Sequence, residues 1–371
     1  MARFPAWREI VVLFGIAITL TTSTPQLQAL QTQFAHDPRV DAIFAQWDRP
    51  GSPGCALGII RDGRIVYSRG YGYANLDYDI PITPRMVFYS GSVSKQFTAA
   101  AVALLAADGR ISLDDDVRKY IPELPQYART ITIRHLIHHT SGLRDIYVLM
   151  DLAGLRLEDV FTDQDAIRLI ARQKELNFAP GDEHLYSNSG YFMLAQIVKR
   201  VTGRSLREYA DERIFKPLGM THTHFHDETD HILKNRVVSY QPDGRGGFRI
   251  SYLTNFDKVG AGGLYTTIED IARWDANFDQ PKVGGAAFLR QIHTRGRLTS
   301  GDSLSYAFGL TIGELNGLRS VRHSGSMMGF QAHFLRLPDQ RFSAAALCNL
   351  GTMNPGSLLE RVAEVYLGDD M

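Results

Sequence analysis

Tyr89-Ser90-Gly91-Ser92-Val93-Ser94-Lys95 is the stretch around which the rest of the sequence is organised, and an apolar run from Phe97 to Ala107 follows it. Ser92 and Lys95 are three residues apart, so on a helix that begins near Ser92 the hydroxyl and the amine lie one turn apart on the same face. This spacing places a nucleophile beside a potential base. Taken alone, the spacing is common by chance and is better explained by a helix N-cap serine followed by a solvated lysine, so the function has to be argued from the rest of the chain.

The bulk composition limits the kinds of partner that the protein can have. The chain has 371 residues, of which 44% are hydrophobic and 22% are charged, and this is typical of a globular protein with a large core. It carries 40 basic and 40 acidic side chains, so the formal net charge is zero. No basic surface for nucleic acid or for an anionic membrane is predicted. We expect a small-molecule or peptide substrate, and the oligomeric state is left open.

Residues 1–29 have the order of regions that is typical of a secretory signal peptide. Arg3 and Arg8 precede an apolar run from Ile10 to Leu20, and a polar segment rich in Thr, Ser and Pro then reaches Ala29. The apolar run is short for a membrane span. We therefore expect cleavage after Ala29 and a periplasmic or secreted protein, with a retained membrane anchor as the alternative.

The two cysteines of the chain, Cys55 and Cys348, both lie in apolar, strand-like segments. Burial as small hydrophobic residues is the default interpretation. Export to an oxidising compartment would permit a disulfide if the two strands are neighbours, and the sequence leaves both alternatives open.

The order of predicted elements indicates an α+β fold. A short helix from Asp37 to about Gln46 is followed by a hairpin whose turn is Asp62-Gly63, and the Ser92 helix then runs to Asp108-Gly109. Residues 112–255 are predicted to be an all-helical insertion. The chain ends in a meander and a last helix after Asn354-Pro355. The meander strands are predicted at Tyr306–Glu314, Leu318–His323, Phe330–Leu337 and Phe342–Asn349.

This layout predicts a single catalytic domain over residues 30–371. One antiparallel sheet is assembled from both chain ends, residues 37–111 and 256–371, with helices on its faces. The helical insertion forms the second lobe, and we expect the active site in the cleft between the two lobes.

Three short motifs occur in the order and at the separations found in one enzyme superfamily. They are Ser92-x-x-Lys95, Tyr186-Ser187-Asn188 and His323-Ser324-Gly325-Ser326. Together they resemble the active-site motifs of the serine β-lactamase and penicillin-binding-protein superfamily, and the Tyr-x-Asn element resembles its class C β-lactamase and family VIII esterase branch. The resemblance extends through most of residues 37–367. It includes Pro53-Gly54-Cys55-Ala56, Tyr71-Gly72-Tyr73-Ala74, His138-His139-Thr140-Ser141-Gly142-Leu143, Phe178-Ala179-Pro180-Gly181, Pro217-Leu218-Gly219-Met220 and Gly262-Gly263-Leu264-Tyr265.

The resemblance implies a role for each motif residue. Ser92 would be the nucleophile and Lys95 a base whose pKa must be lowered, while Tyr186 would relay a proton; which of the two is the main base is left open. Asn188 would donate to a substrate carbonyl and hold Lys95. The backbone N–H groups of Ser92 and Ser326 would stabilise the oxyanion.

The third motif departs from the class C pattern. His323 stands where those β-lactamases have a lysine, so a fixed positive charge for a substrate carboxylate is missing. This puts efficient turnover of β-lactams in doubt. Ser324 and Gly325 are predicted to shape a strand edge on which an extended acyl substrate could lie. The alternative for His323 is a histidine at the edge of the core, bonded to the backbone.

Three alternating histidines, His222, His224 and His226, raise a second possibility. On a strand they would share a face and could bind a metal. The order His226-Asp227 does not fit a His-x-His-x-Asp-His signature, so we expect a polar loop there. The predicted site therefore needs no metal or cofactor.

We therefore expect an exported serine hydrolase that works through an acyl-enzyme at Ser92. Its substrate would be a D-amino-acid peptide of the D-Ala-D-Ala type, a short-chain ester or, weakly, a β-lactam. The alternative is a penicillin-binding sensor or scaffold that is acylated with little turnover.

Overall fold

The secondary structure was taken from a computed structural model that describes residues 37–251, 257–368 and 371. The predicted signal peptide, residues 1–29, lies outside the described residues. The strands are β1 (Cys55–Arg61), β2 (Arg64–Tyr71), β3 (Tyr73–Asn75), β4 (Ile80–Pro81), β5 (Phe88–Tyr89), β6 (His224–Phe225), β7 (Tyr240–Pro242), β8 (Phe248–Ile250), β9 (Leu264–Thr266), β10 (Thr311–Leu315), β11 (Leu318–Met327), β12 (Phe330–Leu337) and β13 (Phe342–Cys348). The α-helices are α1 (Pro38–Phe44), α2 (Lys95–Ala107), α3 (Ile133–Ile137), α4 (Ile146–Leu152), α5 (Asp163–Ala171), α6 (Asn188–Thr202), α7 (Leu206–Ala210), α8 (Lys216–Leu218), α9 (Ile268–Asp279), α10 (Gly285–Ile292) and α11 (Pro355–Leu367).

The largest sheet joins the two ends of the chain. Its strand order is β10-β11-β12-β13-β1-β2, and neighbouring strands are antiparallel. The turn residues Asp62 and Asn316 both have positive φ, and each precedes a glycine, which is the chemistry of two-residue hairpin turns. The predicted α+β fold, with an antiparallel sheet built from both chain ends, is confirmed.

Cys55 and Cys348 form a disulfide between β1 and β13. They are directly opposite each other in the register of the two strands, and both are fully buried. Of the two alternatives that the sequence left open, the structure has the disulfide. The same row of paired residues continues through Gln331 on β12 to Ser326 on β11, so the disulfide and one predicted oxyanion donor lie on a single line across the sheet.

Helix α2 is the buried centre of the fold. A 3₁₀ turn over Gly91–Ser94 leads into it, and every residue from Lys95 to Leu105 is buried. The run has no polar face, because alanine, valine and leucine occupy almost every position after Thr98. A helix of this composition is stable only when it is surrounded by other elements, and α2 packs against α6, α7 and α10.

The segment 112–255 contains helices α3 to α8 joined by turns and loops, but it is not all-helical as predicted. It contains β6, β7 and β8: β6 extends a small sheet of order β5-β9-β6, and β7 pairs with β8. Thr223 holds β6 in place because its hydroxyl lies 2.7 Å from the Thr266 hydroxyl and donates to Asp270. Strands of two or three residues are too short to show an alternating pattern, which is why the sequence did not predict them. Across the described ranges, no helix combines the length and apolar character that a membrane crossing needs.

Candidate active site

The three sequence motifs meet at a cleft of about 530 Å³. It lies between strand β11 of the large sheet and residues that precede or begin helices α4 and α6 of the insertion. Six of the eight predicted site residues line it, while Lys95 and Gly325 lie beneath its surface. The lining residues are Tyr89, Gly91, Ser92, Tyr147, His184, Tyr186, Asn188, Ala261, Gly262, Ser305, Tyr306, Thr311, His323, Ser324, Ser326 and Met327.

Ser92 and Lys95 are placed together by the 3₁₀ turn that opens helix α2. The Lys95 Nζ atom lies 3.0 Å from Ser92 Oγ, as the spacing of three residues predicts. Two further acceptors, Asn188 Oδ1 at 2.8 Å and the Ala261 carbonyl at 2.6 Å, complete the surroundings of the amine. A charged ammonium would donate to all three acceptors, whereas a neutral amine can donate to two of them and turn its lone pair toward the serine hydroxyl.

The surroundings of Lys95 favour the neutral amine. The side chain is fully buried, and desolvation lowers its pKa to about 7, against the opposing effect of the Asp145 carboxylate. A lysine with an ordinary pKa near 10.4 is almost never neutral at pH 7. Burial in the core therefore gives Lys95 the property that a base for Ser92 requires.

Tyr186 approaches the pair from the insertion. Its hydroxyl is hydrogen-bonded to Ser92, and its ring lies 4.7 Å from Lys95 Nζ and 4.2 Å from the ring of His139. Although the residue is 37% exposed at the cleft surface, burial of the hydroxyl end raises the tyrosine pKa well above its usual value. The phenol is thus placed to pass on a proton and is poorly suited to remain ionised.

Asn188 is held by Asp145, a residue to which the sequence analysis assigned no role. One oxygen of Asp145 accepts from the Asn188 backbone N–H at 2.6 Å and from the Asn188 side-chain amide at 2.9 Å. The other oxygen caps helix α4 by accepting from the Tyr147 N–H. Because the Asn188 nitrogen faces the carboxylate, its oxygen is turned toward Lys95.

Strand β11 closes the other side of the cleft. Its backbone touches the 3₁₀ turn so closely that a Cβ added at Gly325 would lie 2.0 Å from the Ser90 carbonyl, and one added at Gly91 would lie 2.6 Å from the Ser326 nitrogen. Gly91 also has φ +55°, so a glycine is required there for two reasons. This contact brings the predicted donors, the backbone N–H groups of Ser92 and Ser326, to the same end of the cleft. Gly325 acts as a spacer beneath the surface, and β11 continues to Met327 rather than ending at His323 as predicted.

His323 is engaged by protein groups on both ring nitrogens. Nδ1 lies 2.6 Å from the Ser324 carbonyl, to which it donates, and Nε2 lies 3.0 Å from the Tyr306 hydroxyl. Burial and the nearby Lys95 lower the pKa of His323 to about 3. The imidazole is therefore neutral at physiological pH. Both interpretations of His323 from the sequence therefore apply. The residue borders the cleft, and its ring is also bonded to the backbone.

Several functional neighbours had no recognisable signal in the sequence. Tyr306 comes from the loop before β10, and Tyr147 and His184 come from separate parts of the insertion. His139 belongs to a stretch that carries the family resemblance, but no role was assigned to it; it is buried, and its ring lies 4.2 Å from the Tyr186 ring at an interplanar angle of 37°. Only Asp145 had a local signal, because an aspartate before the apolar run of α4 is typical of an N-cap.

The alternating histidines form a separate cluster. His224 Nε2 lies 3.3 Å from His226 Nδ1, but His222 is turned toward Thr221 and does not join them. Burial lowers the pKa of both His224 and His226 to about 4. In the part of the chain that the structure describes, no group of three or more His, Cys, Asp or Glu side chains is arranged to hold a metal ion.

Comparison with protein families agrees with this geometry. The profile of the beta-lactamase family matches residues 40–366, which includes all three motifs. The chain therefore belongs to the beta-lactamase family, in the group of β-lactamase-like and transpeptidase-like serine hydrolases.

One curated relative and two solved structures show which proteins of known name the chain is similar to. A D-aminopeptidase from Gluconobacter oxydans (strain 621H) is 31% identical over 310 residues, which are 84% of this chain and 58% of the relative, so the chain spans little more than half of that protein. The octameric penicillin-binding protein homologue from Pyrococcus abyssi has a TM-score of 0.77 at 26% identity, covering 89% of this chain and 76% of the homologue. The D-amino acid amidase from Ochrobactrum anthropi SV3, complexed with L-phenylalanine amide, has a TM-score of 0.74 at 20% identity, covering 90% of this chain and 99% of the amidase. At that identity the likeness concerns the fold alone.

Proposed function

We propose that the protein is an exported serine hydrolase that forms an acyl-enzyme at Ser92 with an amide or ester of the D-amino-acid type. The observation that carries this proposal is the 3.0 Å contact between Ser92 Oγ and Lys95 Nζ, with Lys95 buried and its pKa lowered to about 7. A serine hydroxyl needs such a base. With a pKa of about 7, Lys95 is neutral for about half of the time at pH 7.

The arrangement supports a two-step reaction. As Ser92 Oγ attacks the carbonyl carbon, its proton passes to Lys95, and the backbone N–H groups of Ser92 and Ser326 donate hydrogen bonds to the oxyanion. The leaving amine or alcohol takes a proton through Tyr186, whose hydroxyl contacts Ser92. A water molecule then attacks the acyl carbon and gives a proton to the same groups, which return it to Ser92 Oγ as the acyl–Oγ bond breaks and the acid is released. Of the two candidate bases, Lys95 takes the Ser92 proton in this scheme because burial raises the pKa of Tyr186.

The D-amino-acid part of the proposal rests on the relatives. The D-aminopeptidase from Gluconobacter oxydans is 31% identical, and the fold is shared with a D-amino acid amidase. The names of both proteins describe hydrolysis next to a D-configured residue, and both reactions need the acyl transfer chemistry described above. Within this class the proposal covers D-amino-acid peptides and amides as well as short-chain esters.

Turnover of a p-nitrophenyl butyrate and of D-phenylalanine p-nitroanilide tests the mechanism. We expect the wild-type protein to hydrolyse at least one of them and Ser92→Ala to be inactive, with the exposed Ser300→Ala as the matched control. Intact-mass measurement at short times should show an acyl adduct that decays. Equal turnover by Ser92→Ala would overturn the proposal, and an adduct that persists for hours would favour the acylated sensor.

Export is supported by two features that are independent of the active site. The N-terminal order of charged, apolar and small polar residues is typical of a signal peptide, and a disulfide joins Cys55 to Cys348. Expression in a Gram-negative host, followed by cell fractionation and intact-mass analysis, should find the protein in the periplasm, shortened by 29 residues and oxidised. A full-length, reduced protein in the cytoplasm would contradict this part of the proposal.

A further inference from the structure

The described part of the cleft is lined by side chains without a formal charge. Of the described residues that line it, none is Asp, Glu, Lys or Arg. Residues 252–256, which lie outside the described part, also contain no such residue in their sequence. The lining is instead built from phenols, imidazoles, hydroxyls and backbone groups.

Lys95, which lies directly beneath the cleft surface, has no free donor. Lys95 is fully buried, and its Nζ atom contacts Ser92 Oγ, Asn188 Oδ1 and the Ala261 carbonyl oxygen. Its role as a base also requires it to be neutral for part of the reaction. It therefore cannot serve as a fixed positive charge for a group on the substrate.

The histidine of the third motif does not supply a cation either. Its Nδ1 hydrogen is used by the Ser324 carbonyl, and its Nε2 lone pair is used by the Tyr306 hydroxyl. Protonation at Nε2 would require the Tyr306 hydroxyl to accept instead of donating, and it would leave a charge buried next to Lys95. The ring is thus a fixed neutral element of the cleft wall.

Two charged residues close to the lining, Asp145 and Arg322, interact with other parts of the protein. Asp145 accepts hydrogen bonds from Asn188 and from the N-terminus of helix α4. Arg322, one residue before His323, lies 3.5 Å from Glu360 of helix α11. The charges of both residues are used in holding the fold.

The edge of strand β11 offers neutral hydrogen-bonding groups instead. Strand β10 pairs with β11 only as far as Thr311 opposite Arg322, so residues 323–327 have no β10 partner. Ser324 and Ser326 on this edge are exposed and line the cleft. Backbone N–H and C=O groups at such an edge can bind an extended acyl chain without any charge on it.

We propose that the site selects acyl donors whose leaving group carries no carboxylate, namely neutral amides, carboxamide-terminated D-peptides and esters. This inference rests on the proposed function, since it names the substrates of the same acyl-enzyme. A carboxylate brought into the cleft loses part of its hydration and finds no cation in return. A carboxamide or an ester pays a smaller desolvation cost and keeps its hydrogen bonds to the strand edge. Carboxylate-bearing penicillins and D-Ala-D-Ala peptides are accordingly poor substrates.

Two matched substrate pairs test the selection. The first pair is D-Phe-D-Ala and D-Phe-D-Ala amide. The second is 4-acetoxybenzoate and 4-acetoxybenzamide, with rates divided by those of spontaneous hydrolysis, so that the ratio is measurable even if dipeptides are slow. We expect kcat/KM to be at least about tenfold higher for the carboxamide member of each pair, which corresponds to about 1.4 kcal/mol. A ratio of one, or a preference for the carboxylate, would overturn the inference.

A variant with an added cation tests the cause. Thr311 lines the cleft at the start of β10 and was not among the predicted site residues. Thr311→Lys should raise the relative kcat/KM for the carboxylate member about tenfold, and the neutral Thr311→Gln should leave the ratio unchanged. An unchanged ratio in an active Thr311→Lys protein would show that the missing cation is not the cause. Turnover that does not depend on Ser92 would instead overturn the proposed function, so the two failures are distinguishable.

Discussion

Lys95 and His323 serve the same cleft from two regions of the chain, the buried helix α2 and strand β11 of the large sheet, and burial lowers the pKa of both. For the lysine the result is a pKa of about 7, within the range in which the enzyme must work. For the histidine the result is about 3, so that it stays neutral. The same physical effect therefore creates a base in one region and removes a possible cation in the other, because the two side chains start from different ordinary values.

The largest expected effect comes from replacing the titrating amine by a group that is always charged. Lys95→Arg should reduce kcat/KM on the order of 10⁴-fold, since a guanidinium cannot take the Ser92 proton. The measurement is ester turnover by the purified protein, with circular dichroism to check folding. The surface change Lys216→Arg is the control, and retention of more than a tenth of the activity would show that Lys95 is not the base.

Removal of one hydroxyl tests whether the proton needs a second carrier. Tyr186→Phe keeps the ring that lies against Lys95 and His139 but loses the hydroxyl bonded to Ser92. General acid catalysis typically contributes 10²–10⁴-fold, so we expect a loss of about 10³-fold in kcat/KM. The loss should be greater for amides than for p-nitrophenyl esters, whose leaving group needs no proton. An equal loss for both would contradict the relay role.

The pH dependence of kcat/KM tests whether the protein lowers the pKa of Lys95 to about 7. In the wild-type protein kcat/KM should rise with pH through an apparent pKa of about 7, because the active form is the neutral amine. Asp145 raises the Lys95 pKa, so Asp145→Asn should move this limb to lower pH. The plateau should fall about tenfold, because the contacts of Asn188 with the carboxylate are weakened.

A purely structural role of Asp145 predicts a different outcome. It would lower the plateau and leave the limb where it is. The exposed Asp243→Asn provides the control for a change in net charge. A limb that moves to higher pH, or does not move, would refute the electrostatic part of the argument.

The smallest effect on kcat/KM is expected from the replacement of His323. His323→Gln can still accept from Tyr306 and donate to the Ser324 carbonyl, and it is neutral like the imidazole that it replaces. We expect kcat/KM for neutral esters to fall by less than about fivefold, with the limb near pH 7 in place. A hundredfold loss would mean that the imidazole itself takes part in proton transfer.

The parts of the fold with strong local signals could be predicted from the sequence. The turn Asp62-Gly63 determines its hairpin through backbone conformation, and the helix after Ser92 is apolar on every face and therefore buried. The two-residue strand β6 exists only because β9 lies beside it, so no local pattern encodes it. The pairing of Cys55 with Cys348 depends in the same way on the register of distant strands.

The site shows the same division between local and distant contacts. Ser92 and Lys95 interact across one turn, so their spacing predicts their contact. Asn188 was predicted to hold Lys95, and the structure places them 2.8 Å apart, but the Asp145 carboxylate behind it is 43 residues away in sequence. Tyr306 reaches His323 from a loop without regular structure, and no spacing rule connects the two residues. The neutral state of His323 follows from these unpredicted contacts.

The position of β1 in the large sheet has a consequence for how the polypeptide is made. β1 lies between β2 and β13, and the two half-cystines that join β1 to β13 are 293 residues apart in sequence. During synthesis the N-terminal hairpin therefore carries one unpaired apolar edge until almost the whole chain has been made. Contacts of such long range form slowly, and an open edge is a site for aggregation. Pairing of β1 with β13 therefore removes this edge only at a late stage of folding.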